Sequence, residues 1–296
     1  MKDRKSLGAA LALVGTALGL DYATGRPAAF FYAQLGAAGW AGIAFSGMVF
    51  GGATGLLCAL VRRMGVRDIG MLLRSMGCGQ LVFGLYMLAL GAMGCMLASE
   101  AGHIAALALP VRHARLYGTL LALTASAAIA LGRGGWMRIP GVFYALALAG
   151  FEAALLFFPG KADAALHHGA VLRLENCVPA ALALAALHTA VGLCLAAGAA
   201  AELAGSGVRP LRLGLLCGGI YAFLLRGGTA VLQASEPAAL RLKLPFTALA
   251  SGWGAAGFWL SAGLVFLGSV CGLTAVLRAM ILNINAGISS KNDVKF

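Results

Sequence analysis

Long apolar stretches alternate with short polar connections along the whole chain. A helix needs about 20 apolar residues to cross a bilayer, and eight stretches meet that requirement. They cover residues 6–35, 39–61, 76–99, 116–132, 139–159, 179–204, 211–233 and 253–277. The pattern predicts an all-α polytopic membrane protein with eight transmembrane helices. These form a single transmembrane domain, residues 1–282, followed by a polar C-terminal tail, residues 283–296, that we expect to be disordered.

The first stretch differs from the others because polar and helix-breaking residues interrupt it. Residues 15–27 contain three glycines, Asp21, Arg26 and Pro27. Glycine and proline weaken the helical backbone, and a charged side chain is costly in hydrocarbon. The sequence therefore predicts a discontinuous first helix. Irregular backbone at membrane depth is tolerated where protein or a water-filled cavity covers it, so the break indicates a binding site.

Composition and charge agree with this class of protein. Apolar residues make up 61% of the chain and charged residues 11%, with a net charge of +12. The basic residues are concentrated in alternate connections, for example the four arginines of residues 62–74. By the positive-inside rule, both termini are expected to be cytoplasmic in the cell's inner (plasma) membrane. The positive charge therefore predicts a lipid bilayer as partner and no nucleic acid.

The sequence contains no pattern typical of an enzyme. The seven cysteines include no CxxC pair, and His167 and His168 are adjacent in a connection rather than part of a metal-ligand cluster. No nucleophile–base pair or pair of carboxylates stands at a membrane interface. We therefore expect no enzymatic activity, no metal and no cofactor.

Residues 184–198 partly repeat residues 11–25. Eight of fifteen aligned positions are identical, among them Thr16 with Thr189 and Gly19 with Gly192. The two segments run in opposite directions across the membrane, as an inverted repeat requires. The first repeat would cover residues 6–159 and an incomplete second repeat residues 179–282. The alignment also predicts that the sixth helix is discontinuous near residues 188–192.

The motif Gly15-Thr-x-x-Gly19-x-x-Tyr22-Ala-Thr-Gly25, followed by Phe30-Phe31, resembles the first helix of the YkvI-like membrane proteins. These belong to the amino acid/polyamine/organocation superfamily with the LeuT-type fold. The resemblance implies a secondary transporter with a substrate site between broken helices 1 and 6 and a sodium site between helices 1 and 8. The chain departs from the family at Asp21, where the family has a small residue. Because only eight spans are predicted, helices 9 and 10 of the family are expected to be missing, and Leu267-Gly268 stands where the family has a Thr/Ser pair suited to sodium.

Candidate ligands follow from the predicted breaks. Carbonyl groups freed at residues 15–18 could bind an ammonium group, and N–H groups at residues 24–28 could bind a carboxylate. The candidate substrate ligands are Gly15, Thr16, Gly19, Asp21, Thr24, Gly25, Tyr86, His188, Thr189 and Gly192. The weaker candidates for ion coupling are Leu18, Ser269 and Thr274.

Several of these residues have alternative roles. Asp21 caps the outer half-helix, binds a substrate amine or a proton, or pairs with Arg26. His188 packs between helices or binds substrate or a proton. The hydroxyl groups of Thr16 and Thr189 line the site or bond to a carbonyl of their own helix.

Glu152 and Arg226 are predicted to form a structural ion pair. Both lie in the outer part of stretches that run outward, so their depths in the membrane nearly match. A charge without a partner in hydrocarbon costs several kcal/mol.

The function predicted from the sequence is secondary active transport of an amino acid or other small amine-bearing solute by alternating access. The coupling ion is H+ or Na+. The alternative is a non-transporting solute sensor or partner subunit built on a truncated carrier fold. Because a truncated second repeat would leave helix surfaces uncovered, a homodimer is a further expectation.

Overall fold

The first apolar stretch folds as two helices, α1 (Lys2–Leu18) and α2 (Arg26–Phe31), with a 3-10 turn over Tyr22–Thr24 between them. A second 3-10 turn, Ala33–Leu35, follows α2. The computed structural model describes residues 2–19, 21–66, 68–77, 80–132, 138–159, 177–204, 207–235 and 239–292. Because α1 ends at Leu18 and α2 begins at Arg26, the predicted break in the first helix is confirmed.

The rest of the described chain is also helical. In order the helices are α3 (Ala37–Met64), α4 (Ile69–Ser75), α5 (Gln80–Ala108), α6 (Ala114–Leu131), α7 (Arg138–Phe157), α8 (Val178–Ala204), α9 (Pro210–Ala234), α10 (Pro245–Ser251) and α11 (Ala255–Asn292). All of these except α4 and α10 are long and apolar enough to cross a membrane, which makes seven such helices in the described ranges. They fit a multi-pass membrane protein. The piece Lys5–Leu18 is shorter, so an eighth crossing by the broken first stretch stays a prediction.

The predicted break in the sixth helix is wrong, because α8 continues through residues 188–192 without interruption. This segment is rich in alanine and leucine, which have high helix propensity, and the single Gly192 costs only about 1 kcal/mol relative to alanine. The Thr189 hydroxyl group donates to the Ala185 carbonyl group of the same helix at 2.7 Å. The first and sixth helices are therefore both helical over residues 11–18 and 184–191, and they differ beyond this point, where α1 ends and α8 continues.

The prediction of a disordered tail is also wrong for most of its length. Helix α11 continues to Asn292, fifteen residues beyond the predicted end of the last span, and residues 293–296 lie outside the described ranges. Asn283 is buried, and its Oδ1 accepts the N–H of Gly70 at 2.7 Å. Its amide group also donates to the Ala279 carbonyl group at 2.6 Å. This asparagine attaches α4 to α11, so the start of the tail is part of the fold.

Close helix crossings at small residues place the break inside the helix bundle. Helix α1 packs against α7, α8, α9 and α11. At the α1–α7 crossing, a Cβ added to Gly141 would lie 2.5 Å from the Ala12 carbonyl oxygen. At the α3–α9 crossing, a Cβ added to Gly51 would lie 2.5 Å from the Gly214 carbonyl oxygen. Small residues at helix interfaces allow backbones to approach this closely.

We expect Gly141→Ala to destabilise the protein, because the added methyl group meets the backbone of α1. Overpacking of this kind costs about 1–3 kcal/mol. The melting temperature of the detergent-purified protein, measured by scanning fluorimetry, should fall. Gly150→Ala is the matched control in the same helix, since a Cβ there has no atom within 4 Å. Equal melting temperatures for the two variants would contradict the observed crossing.

Candidate functional site

The break between α1 and α2 is stabilised by its own side chains. Asp21 has a left-handed backbone with φ of 64°, which is uncommon for a residue other than glycine. The Thr24 hydroxyl group donates to the Asp21 carbonyl group at 2.6 Å and accepts the N–H of Arg26 at 3.0 Å. The Asp21 side chain makes no capping hydrogen bond to the 3-10 turn. Thr24 therefore has the capping role that the sequence proposed for Asp21, and the half-buried Asp21 carboxylate is not used as a cap.

Several backbone groups that the break frees are bonded within the protein. The Leu18 carbonyl group, predicted as an ion ligand, accepts the Tyr144 hydroxyl group at 3.1 Å. The N–H of Gly25 donates to the Tyr22 carbonyl group at 3.0 Å, and the N–H of Arg26 is bonded to Thr24. In this conformation these groups are not open to a solute. The binding of a solute by the carbonyl groups of residues 15–18 and the N–H groups of residues 24–28 stays a prediction, and it requires these bonds to open first.

Two glycines of the break allow neighbouring helices to cover it. Gly19 lies against α11, where a Cβ would be 2.8 Å from the Gly268 carbonyl oxygen. Gly25 has φ of 81° and lies against Phe246 of α10, where a Cβ would be 2.6 Å from the ring. Both predicted site glycines are thus required for close packing.

An aromatic cluster surrounds His188 beside the break. The His188 Nδ1 atom lies 3.0 Å from the Tyr32 hydroxyl oxygen and 3.3 Å from that of Tyr221. The rings of Tyr22 and Phe31 have their centroids 6.2 Å and 5.0 Å from that of His188. His188 therefore contacts Tyr22 within the break, Phe31 and Tyr32 at the end of α2, and Tyr221 of α9. We call His188, Tyr22, Phe31, Tyr32 and Tyr221 the aromatic cluster.

The sequence predicts only His188 of this cluster as a site residue and misses Tyr22, Phe31, Tyr32 and Tyr221. The available signal is the aromatic run Phe30-Phe31-Tyr32 at the end of α2, of which Phe30-Phe31 belongs, like Tyr22, to the family motif. Tyr221 had no signal in the sequence, since it comes from a helix distant along the chain.

The structure does not pair Glu152 with Arg226. Glu152 is 3% exposed, and its Oε1 atom has no hydrogen-bond partner among the described residues. Arg226 is exposed, and its guanidinium carbon lies 5.8 Å from the centre of the Trp40 ring. Adjacent residues of a helix point about 100° apart. The next two residues, Gly227 and Gly228, face Glu152, so the arginine before them points away.

The Glu152 carboxyl group lies in a cradle formed by this glycine pair. A Cβ added to Gly227 would be 2.5 Å from Oε2, and one added to Gly228 would be 2.8 Å from Oε1. The same point on Gly228 is 2.7 Å from the Tyr22 hydroxyl oxygen. That hydroxyl group donates to the Leu224 carbonyl group at 3.2 Å. The break and Glu152 thus meet on a single turn of α9.

The predicted hydroxyl ligands are bonded within their own helices. The bonds run from Thr16 to Ala12 at 2.8 Å, from Thr189 to Ala185 at 2.7 Å, from Ser269 to Val265 at 3.1 Å and from Thr274 to Val270 at 2.7 Å. Of the two alternatives for Thr16 and Thr189, the structure shows the bond to a helix carbonyl group.

The remaining predicted ligands are helix-packing residues or lie apart. Gly15 is at the α1–α7 crossing, and a Cβ on Gly192 would be 3.3 Å from the Tyr221 hydroxyl oxygen. The buried Tyr86 hydroxyl group lies near Gly198 of α8 and has no hydrogen-bond partner among the described residues. Gly198 is about 15 Å further along α8 than His188. Tyr86 is therefore not part of the aromatic cluster.

No family model matches the chain, and the searches of curated proteins and of solved structures also gave no match. The described residues contain no group of three or more His, Cys, Asp or Glu side chains that could hold a metal ion. The break, the aromatic cluster and Glu152 are therefore the features that indicate a function for this protein.

We expect Tyr32→Phe to destabilise the protein by about 1–3 kcal/mol, because the lost hydroxyl group bonds to buried partners. Its oxygen lies 2.9 Å from the Ser46 hydroxyl oxygen and 3.0 Å from His188 Nδ1. Thermal unfolding in detergent would measure the effect. Tyr117→Phe is the matched control, since Tyr117 is exposed. If both variants unfold at the temperature of the wild type, the hydrogen bonds to Tyr32 do not contribute to stability.

Proposed function

We propose that this protein is a secondary active transporter of an amino acid or other small amine-bearing solute. The observation that carries the proposal is the broken first helix. Its irregular backbone lies among apolar helices, with Asp21 inside the break and the aromatic cluster beside it. Irregular backbone and intramembrane acids at such depth are typical of substrate pathways.

The side chains around the break favour a solute with a positive charge. Asp21 supplies a carboxylate, and among the described residues it forms no ion pair within 4.0 Å. Aromatic faces such as those of Tyr22 and Phe31 attract ammonium groups, most strongly where water is excluded. This combination binds an amine through charge and through the rings.

Charges near Asp21 suit a zwitterion better than a simple cation. Glu100, Arg26 and Lys243 all interact electrostatically with Asp21. Glu100 adds negative charge, whereas Arg26 and Lys243 offer positive charge for a carboxylate group. An amino acid presents both charges, so it is the solute class that we favour.

Alternating access would use the hydrogen bonds that now close the break. The Tyr144 hydroxyl group donates to the Leu18 carbonyl group at the end of α1, and the Tyr22 hydroxyl group donates to the Leu224 carbonyl group of α9. Exchange of these bonds for bonds to the solute would release α1 and α2 as the site opens. The conformation described here is then a closed one.

We expect Asp21→Asn to reduce solute uptake by about tenfold or more, because a neutral amide loses the charge-assisted bond to the ammonium group. The measurement is uptake of radiolabelled alanine, lysine and putrescine into proteoliposomes. Glu202→Gln is the matched control, since this acid is paired with Arg278 at 3.3 Å and lies about 21 Å from His188 along α8.

If the wild type takes up a probe and Asp21→Asn takes it up equally well, Asp21 is not a ligand of the solute. Binding of a probe without flux would favour the alternative function, a solute sensor or partner subunit. Equilibrium binding to the purified protein distinguishes these outcomes.

A further inference from the structure

We propose that the Glu152 carboxyl group is the proton-binding group that couples this carrier to a proton gradient. The inference rests on the proposed transport function and deepens it by naming the coupling ion and its residue. The observations that carry it are the burial of Glu152, its orphaned Oε1 atom and its place on the turn of α9 that also holds the break.

No positive charge faces Glu152 among the described residues. Helices α1, α9 and α11 pack against α7, and Phe246 of α10 contacts Phe151. Helix α1 has no charged residue after Lys5, α10 has none, and α11 has none before Arg278. On α9, Arg226 is exposed over Trp40, and Arg212 lies about 21 Å further along the helix.

The tyrosine nearest to Glu152 is Tyr22, whose hydroxyl oxygen and the Oε1 atom of Glu152 lie 2.7 Å and 2.8 Å from the Cβ position of Gly228. Tyr144 lies about 12 Å away along α7, and both tyrosines are fully buried. The other polar group is the backbone N–H of Gly228. Neutral phenols and one N–H do not balance a full negative charge. A buried charge without a partner costs several kcal/mol, so the neutral, protonated carboxyl group is the stable form in this closed conformation.

The glycine cradle is what admits a carboxyl group at this place. Side chains at residues 227 and 228 would collide with the two carboxyl oxygens, at 2.5 Å and 2.8 Å respectively. The space therefore accommodates the carboxyl group and supplies no counter-charge among the described residues. This combination is typical of a group that exchanges a proton rather than one that anchors the fold.

The position of Tyr22 explains how the proton and the solute would be coupled. Tyr22 lies beside the Glu152 carboxyl group at Gly228 while its hydroxyl group is bonded to the Leu224 carbonyl group. When the break moves to admit solute, Tyr22 leaves this turn of α9 and water reaches Oε1. The carboxyl group then releases its proton to that water and becomes a carboxylate. Closure around the solute requires a proton to bind again, and that proton is released with the solute when the break opens to the inner side. The emptied carrier returns without it, so one proton crosses inward with each solute.

The first experiment needs no solute. Infrared spectra of the purified protein at neutral pH should contain the C=O stretching band of a protonated carboxyl group. Glu152→Gln should remove this band, whereas Glu202→Gln, the paired and half-exposed acid, should retain it. Spectra in which Glu152→Gln leaves the carboxyl band unchanged would overturn the proposal.

The second experiment measures coupling in proteoliposomes with radiolabelled alanine, lysine and putrescine. In the wild type, an inward proton gradient should raise uptake of a transported probe by about tenfold. In Glu152→Gln the ratio of uptake with and without the gradient should fall to about one, because no proton is bound. Glu202→Gln should keep the wild-type ratio. A ratio in Glu152→Gln equal to that of the wild type overturns the proton site and leaves the transport function standing.

The two experiments separate the two proposals. If no probe enters wild-type liposomes, the transport function fails for these solutes, and the infrared band still decides whether Glu152 binds a proton. If Glu152→Gln does not fold or does not transport, Glu152→Asp replaces it. The shorter side chain keeps the carboxyl group but withdraws it from the cradle, so its band should shift. An unshifted band would overturn the proposal.

Discussion

The structure depends on one constraint, which is that the backbone of the broken first helix must be hydrogen-bonded away from water. Thr24 bonds to both sides of the break, and Tyr144 donates to the carbonyl group at the end of α1. Tyr22 fixes the segment to α9. An unsatisfied backbone group in hydrocarbon costs several kcal/mol. The buried tyrosines are therefore part of what makes a break possible, and their bonds are the ones that a conformational change has to exchange.

Close packing at glycines is the second condition, because it brings neighbouring helices directly against the break. Helix α7 reaches α1 at Gly141, α11 reaches the break at Gly19, and Phe246 reaches it at Gly25. The Gly227–Gly228 pair serves the same purpose for the carboxyl group of Glu152. Glycine thus decides which surfaces meet at the break, and a side chain at any of these positions would separate them.

Two acids at this enclosed region have no ion-pair partner among the described residues. Asp21 is half-buried within the break, and Glu152 is buried beside it without a counter-charge in the described part of the chain. The two acids differ in access, and this difference favours different roles. In the proposed mechanism Asp21 binds the solute amine, and Glu152, buried beside Tyr22, binds the proton. His188 links the two sides of the region through Tyr32 and Tyr221.

The sequence by itself determined the helical membrane class, the limits of most spans and the break in the first helix. These follow from local properties, namely runs of apolar residues and the clustering of Gly, Asp and Pro at residues 15–27. The continuity of α8 agrees with the high helix propensity of its Ala-rich sequence, although the partial match to residues 11–25 predicted a break there. The tertiary structure alone decided the partners of Glu152, because helix rotation turns Arg226 outward and Gly228 inward. The aromatic cluster depends on contacts between residues far apart in the chain, and such contacts leave no local pattern to read.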